Sequence, residues 1–255
     1  MKLRSLLLAT AMLMSVAAMA DTEVIAHRGY WKTAGSAQNS LTSLRKANQI
    51  GCYGSECDVW ISTDGTIFVN HDRKFKGVEI QKSTAKECKA VILDNGEHMP
   101  TLKQYLKVAK KQPGQLIIEI KTHKDPARLT ACIDGTLKLV KKAKMEQKVT
   151  YIAFFYDATL QLIKKAPKGT EVYYLNGDKS PQELKAIGCA GPDYEQKVFM
   201  QKHPEWFDEF HKLGMKINVW TVDDPQVIEY YVKRGADYIT TNVPELVQKT
   251  IKDNK

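Results

Sequence analysis

Two cysteine patterns are missing from this chain. It has five cysteines in 255 residues, yet no C-x-x-C pair and no cysteine–histidine spacing of the zinc kind. A dithiol redox centre and a cysteine-based zinc site are thereby excluded. An odd number of thiols leaves at least one of Cys52, Cys57, Cys88, Cys132 and Cys189 without an intramolecular partner. Most of them are expected to be small buried apolar residues, with any disulfide left unassigned. Also missing is a basic stripe interleaved with aromatics, although the formal net charge is +9. The lysines fall in sets such as Lys107/Lys110/Lys111 and Lys164/Lys165/Lys168 on helix-like segments, with apolar residues between them, the pattern of a solvated outer face. No nucleic-acid partner is expected. There are no internal repeats, low-complexity tracts or linkers, so one domain is expected.

A full membrane span is lacking too. Met1 to Ala20 has a short basic start (Lys2, Arg4), the apolar run LLLATAMLMSVAA, and Ala18-Met19-Ala20 before Asp21. This is the layout of a cleaved signal peptide, and the run is too short for a good span. No cysteine directly follows it, which excludes lipoprotein processing. Residues 1–20 are expected to be removed and 21–255 exported, most simply to a bacterial periplasm, with no stable membrane insertion afterwards.

What is present is an alternation of strand-like and helix-like segments, the mark of a parallel α/β fold. Strands are expected at 24–28, 54–60, 115–121, 149–154, 171–175, 188–193, 216–221 and 236–241. The sixth is interrupted by Gly191 and Pro192. A first helix should start at Asn39 or Ser40 and close at Gly51, and another should span 101–112 behind Pro100. Asp64-Gly65 reads as a turn that sends 66–70 back antiparallel to the second strand. Residues 62 to about 98 then form a small insertion that brings His71 over the mouth. Eight strands in about 235 residues make a (β/α)8 TIM barrel, whose chemistry sits at the C-terminal ends of its strands.

One stretch, from His27 to Asp72, concentrates the polar residues. Within GSECDVWIS, Glu56 and Asp58 point to one face of the strand and Cys57 to the other. Two like charges that close repel unless a cation or a shared proton compensates; a hard divalent metal suits them. Glu119 and Lys121 end the third strand on one face, and His27 and Trp220 end the first and seventh. A barrel core would not bury such residues unpaired.

The ordered set of motifs resembles the glycerophosphodiester phosphodiesterases. It comprises HRG at 27–29, QNS at 38–40, GSECDV at 54–59, TDG at 63–65, HD at 71–72 and PTL at 100–102, followed by IEIK at 118–121, VWTVDDP at 219–225 and ITTNVPE at 239–245. The resemblance implies hydrolysis of glycerophosphodiesters to sn-glycerol 3-phosphate and an alcohol. It implies His27 and His71 as the acid–base pair, and Glu56, Asp58 and Glu119 as ligands of one Ca²⁺ or Mg²⁺. Arg28 and Lys121 would then face the phosphate, and the metal would also hold the glycerol hydroxyls. Trp220 reads either as the aromatic wall beside the glycerol or as an ordinary barrel aromatic. Gln38 and Asn39 would stand behind the site. Two departures matter: Gln38 replaces the family's usual glutamate and Asn242 its common aspartate, removing charge at both positions. Two other readings remain: a phosphatidylinositol phospholipase C-like barrel, and a barrel that binds a phosphodiester without catalysis.

Overall fold

A computed structural model describes residues 22–255; the expected signal peptide, residues 1–20, lies outside the described residues. The first strand, β1 (Glu23–Ala26), stops short of the expected end because Arg28 turns into the left-handed region at φ +58°. The first helix, α1 (Leu41–Gln49), starts where Ser40 caps it, its side chain accepting from the Ser43 N–H, and closes at Gly51 with φ +75°. Strand β2 (Gly54–Ile61) is buried throughout. Next comes the insertion: β3 (Ile67–Val69) antiparallel on β2, the hairpin β4 (Lys74–Phe75) and β5 (Val78–Glu79), and α2 (Ala85–Lys89). Its own core holds Trp60, Phe68, Ile80, Cys88, Leu93 and Met99.

The rest alternates strictly. Helix α3 (Leu102–Ala109) begins with a Thr101–Gln104 capping box and ends before the expected residue 112. Strand β6 (Gln115–Ile120) leads into α4 (Pro126–Ala143) and β7 (Val149–Ala153) into α5 (Tyr156–Lys165). Strand β8 (Val172–Tyr174) leads into α6 (Pro181–Ala186) and β9 (Gly191–Glu195) into α7 (Pro204–Lys212). Last come β10 (Asn218–Trp220), α8 (Pro225–Arg234), β11 (Tyr238–Thr241) and α9 (Pro244–Asp253). Proline opens α4, α6, α7, α8 and α9, where its missing N–H costs nothing. Eight parallel strands close on themselves, with β1 paired to both β2 and β11. The molecule is a (β/α)8 barrel.

Pairing register sorts the inward side chains into levels. Carried round the barrel, it puts Ile25, Ile117, Tyr173 and Asn218 on one level, and Glu56, Ile152, Asp193 and Thr240 on the next. His27, Glu119, Leu175 and Trp220 lie above these. The barrel is thus mainly apolar below and polar towards its C-terminal mouth. Its lower part is packed, with a void of about 10 Å³ lined by Ile25, Ile117, Tyr173 and Tyr238, room for about one water.

Strand β9 begins three residues later than its expected start at 188, because its first residue makes a close approach that only glycine permits. A Cβ on Gly191 would lie 1.9 Å from the Lys216 carbonyl oxygen and 3.1 Å from the Tyr173 ring. Backbone cannot swing aside as a flexible side chain can. Gly191→Ala is therefore expected to cost about 3 kcal/mol, lowering Tm by roughly 6–12 °C for a domain of this size. Thermal unfolding checks this; an unchanged Tm would contradict the close approach.

Candidate active site

Parallel pairing sets β2 beside β6 with Asp58 opposite Glu119. Strand alternation then points Glu56, Asp58 and Glu119 into the barrel, where one oxygen from each lies within 4.8 Å of the others. All three residues are buried. Glu56 Oε2 accepts the Arg28 N–H at 2.7 Å, and Asp58 Oδ2 accepts Asn39 Nδ2 at 2.8 Å. Glu56 Oε1, Asp58 Oδ1 and Glu119 Oε1 are left without a hydrogen bond. Lys121 Nζ stands 3.2 Å from that Asp58 oxygen and 2.8 Å from that Glu119 oxygen. It supplies charge at ion-pair distance without the alignment of a hydrogen bond. One ammonium against three carboxylates leaves an excess of negative charge. Convergent, orphaned carboxylate oxygens are the donor set a Ca²⁺ or Mg²⁺ takes, so these residues fit a hard divalent cation.

Protonation follows the crowding. Burial, then the charges of Asp58 and Glu119, push the Glu56 carboxyl well above its ordinary range. Burial and Asp58 raise Glu119 to about 7, against the pull of Lys121. Asp58 moves the other way: burial alone would raise it, but Lys121, His71 and the Asn39 hydrogen bond bring it down to about 2. Without a cation the cluster therefore keeps a proton near neutral pH.

The loop from β1 to α1 is bent to serve these carboxylates. Arg28 and Asn39 both have φ of +58°, a conformation uncommon for residues other than glycine. Each costs of order 1–3 kcal/mol. A backbone hydrogen bond from Asn39 N–H to the Arg28 carbonyl (3.0 Å) ties them together, and Ser43 Oγ donates to the same carbonyl. The strain turns the Arg28 N–H onto Glu56 and the Asn39 amide onto Asp58. Gln38 behaves as an amide can: its Oε1 accepts Arg28 Nη1 at 2.7 Å and orients the guanidinium.

Both histidines reach the mouth. His27 follows β1, and its Nδ1 lies 2.9 Å from Asn242 Oδ1 at the end of β11. The amide is itself fixed. Its oxygen also accepts Trp31 Nε1, its Nδ2 donates to Asp223 Oδ2 at 2.8 Å, and its backbone N–H donates to Asp223 Oδ1 at 2.7 Å. An amide whose nitrogen is committed to Asp223 presents its oxygen to His27, so Nδ1 carries the hydrogen and Nε2 is left with its lone pair. Burial foremost, and then Arg28, hold His27 down at about 4, so it is neutral at pH 7. His71 comes from the insertion. Asn70 N–H donates to the Asp58 carbonyl and Trp60 Nε1 to the His71 carbonyl, which anchors it over β2. Its Nδ1 lies 2.8 Å from Asp72 Oδ1, and burial foremost lowers its pKa.

Every candidate residue named from the sequence thus lies at one end of the barrel. Trp220 stands on the level of His27 and Glu119, donates Nε1–H to the Asp193 carbonyl at 2.7 Å, and meets Phe154 edge-on at 5.3 Å. Sequence reasoning missed the Asn242–Asp223 pair as a support for His27. It also missed Asp193, a buried acid with an orphaned Oδ1 on the level of Glu56. His123, two residues beyond Lys121, is buried against Trp60 at 5.2 Å, with Nδ1 2.7 Å from the Lys121 carbonyl. All five cysteines are free and buried.

Comparison with known proteins adds to the geometry. The sequence profile of the Glycerophosphoryl diester phosphodiesterase family matches residues 27–246. A glycerophosphodiester phosphodiesterase of Parabacteroides distasonis superposes with a TM-score of 0.89 at 48% identity, covering 92% of this chain and 98% of that one. A curated glycerophosphodiester phosphodiesterase of Caldanaerobacter subterraneus subsp. tengcongensis is 27% identical over 237 residues, 88% of this chain and 95% of that protein. An Oleispira antarctica phosphodiesterase, solved in complex with the product sn-glycerol-3-phosphate, shares the fold. Its TM-score is 0.76 at 24% identity, over 91% of this chain and 97% of that one.

The amide contact to His27 generates a test by titration. Asn242→Asp places a carboxylate against the imidazole Nδ1–H, and a nearby anion favours imidazolium. The His27 midpoint, followed by NMR in the metal-free protein, is expected to rise by at least about one unit from about 4. A midpoint that stays in place would show that Asn242 does not face His27.

Proposed function

The chain belongs to the Glycerophosphoryl diester phosphodiesterase family and is a glycerophosphodiester phosphodiesterase; from that premise we propose that hydrolysis depends on one divalent cation and on His27 and His71 as a proton-transfer pair, in an exported enzyme cleaved before Asp21. The observation that carries the cation is the trio of orphaned, buried oxygens on Glu56, Asp58 and Glu119. These residues would hold Ca²⁺ or Mg²⁺, which when bound supplies positive charge to phosphoryl oxygen and a site for the glycerol hydroxyls.

The side chains divide the remaining work. His27, neutral and with a free Nε2, is the base that takes a proton from the attacking water as its oxygen bonds to phosphorus and the bond to the leaving alkoxide breaks. His71, carried in by the insertion and backed by Asp72, protonates the leaving alkoxide; each such transfer is worth roughly a hundred- to ten-thousand-fold. Arg28, held by Gln38, and Lys121 bring charge to the phosphate, Arg28 in a fixed orientation. Trp220 and Phe154 give the glycerol an apolar wall. Two placed histidines favour turnover over simple binding, since a binder has no use for them. The Oleispira antarctica protein's product agrees with glycerophosphate as the part recognised.

The experiment is release of glycerol 3-phosphate from glycerophosphocholine by protein recovered from the periplasm, with intact mass marking an N-terminus at Asp21. Chelation is expected to abolish turnover, and Ca²⁺ or Mg²⁺ to restore it. His27→Ala and His71→Ala should each lower kcat by roughly a hundredfold or more. Bis(p-nitrophenyl) phosphate, which lacks the glycerol hydroxyls, should be the poorer substrate despite its better leaving group. Full activity of the chelated enzyme, or of either alanine variant, would overturn the corresponding assignment.

A further inference from the structure

The basic charge of the chain is not spread evenly. Residues 101–150 carry twelve Lys and Arg against four Asp and Glu, nearly the whole net charge of +9. Residues 204–255 carry seven against nine. In the structure Lys121 belongs to the carboxylate site, whereas much of the first set lies on or just after α3 and α4, along one flank. Lys103, Lys107, Lys111, Lys138 and Lys142 are exposed there, and none of them has an ion pair among the described residues. Elsewhere several exposed lysines are matched, such as Lys165 with Asp134, Lys233 with Glu229, and Lys249 with Asp253, while others, such as Lys86, Lys202 and Lys212, stand singly without an ion pair among the described residues.

The flank is also furrowed. A groove of about 300 Å³ between α3 and α4 has Leu106, Leu139 and Ala143 along its floor, with Lys103, Lys107, Lys110 and Lys142 around it. It shares Lys107 with a groove of about 390 Å³ against α1, where Arg45 adds charge. It shares Lys103 and Leu139 with one of about 520 Å³ that reaches Thr66 and Lys89 of the insertion. The three make one continuous face, cationic on its ridges and partly apolar in its furrows.

We propose that the α1–α3–α4 flank docks the protein onto an anionic phospholipid surface. Charge complementarity selects this occupant. Unpaired lysines are hydrated point charges without the fork that reads one phosphate, so they suit a diffuse sheet of anionic headgroups, each adding about 1 kcal/mol near the surface. The furrow floors offer apolar contact at headgroup depth. Among these lining residues there is no aromatic platform on which nucleic-acid bases could stack. Attachment is peripheral: no helix among the described residues is long and apolar enough to cross a membrane. The inference is independent of the catalytic reading. It makes chemical sense beside it, because a glycerophosphodiester is what deacylation of a membrane glycerophospholipid leaves behind.

The test is co-sedimentation of the full chain with vesicles of phosphatidylcholine alone and with about a third phosphatidylglycerol, at low and high salt. Binding should be far stronger to the anionic vesicles and fall steeply as salt rises. Replacing Lys103, Lys107, Lys138 and Lys142 together by glutamine should weaken it about a hundredfold to a thousandfold. The same number of glutamines at Lys212, Lys233, Lys249 and Lys252 should change it only several-fold. Any leader present is common to all three proteins, and equal melting temperatures certify folding. Three results would overturn the proposal: equal binding to both vesicles, no binding to either, or equal losses in the two variants.

Discussion

Three carboxylates converge inside a barrel where water cannot screen them, and much of the site answers to their repulsion. Their oxygens lie within 4.8 Å of one another, and at that limit, with an effective dielectric of about 20, each pair of full charges repels by about 3 kcal/mol. Lys121 offsets part of this from one side, Asn39 and the Arg28 N–H from another. What remains forces a choice between holding a proton and holding a cation. The raised carboxyls of Glu56 and Glu119 show the first option; the orphaned oxygens are prepared for the second.

Barrel closure makes the site possible. The carboxylates come from adjacent strands, while His27 is steadied by Asn242, which is 215 residues away in the chain. Only the pairing of β1 with β11 brings those two together. The amide in place of an acid has a consequence. A carboxylate there would stabilise imidazolium, whereas an amide fixed by Asp223 orients His27 and leaves it a neutral base. His71 arrives by a different route, on a short antiparallel return that the Asn70–Asp58 backbone bond ties to β2.

Local rules made much of this legible beforehand. Period-two alternation put Glu56 and Asp58 on one face and Glu119 with Lys121 on another, and β2 and β6 bear this out. Ser40 and Thr101 announced their helices through capping chemistry, and Asp64-Gly65 the return to His71. Features requiring distant partners were not legible. Nothing local says that Arg28 and Asn39 take left-handed backbone, since the carboxylates that reward the strain lie on another element. Nor does anything local say that His123, just past the third strand, packs against Trp60 of β2. The Gly191–Pro192 start of β9 obscured Asp193, because the pattern registers a break where the barrel needs a close approach.

The central claim, that this cluster trades protons for one cation, is tested most directly by calorimetric titration of the metal-free protein with Ca²⁺ or Mg²⁺ in two buffers of different ionisation enthalpy. At pH 7 the account predicts one cation per chain and the release of about one proton or more, because a coordinating carboxylate must be ionised. Glu119→Gln should weaken the binding markedly. Several weak sites, or saturation at one site with no proton released, would contradict it.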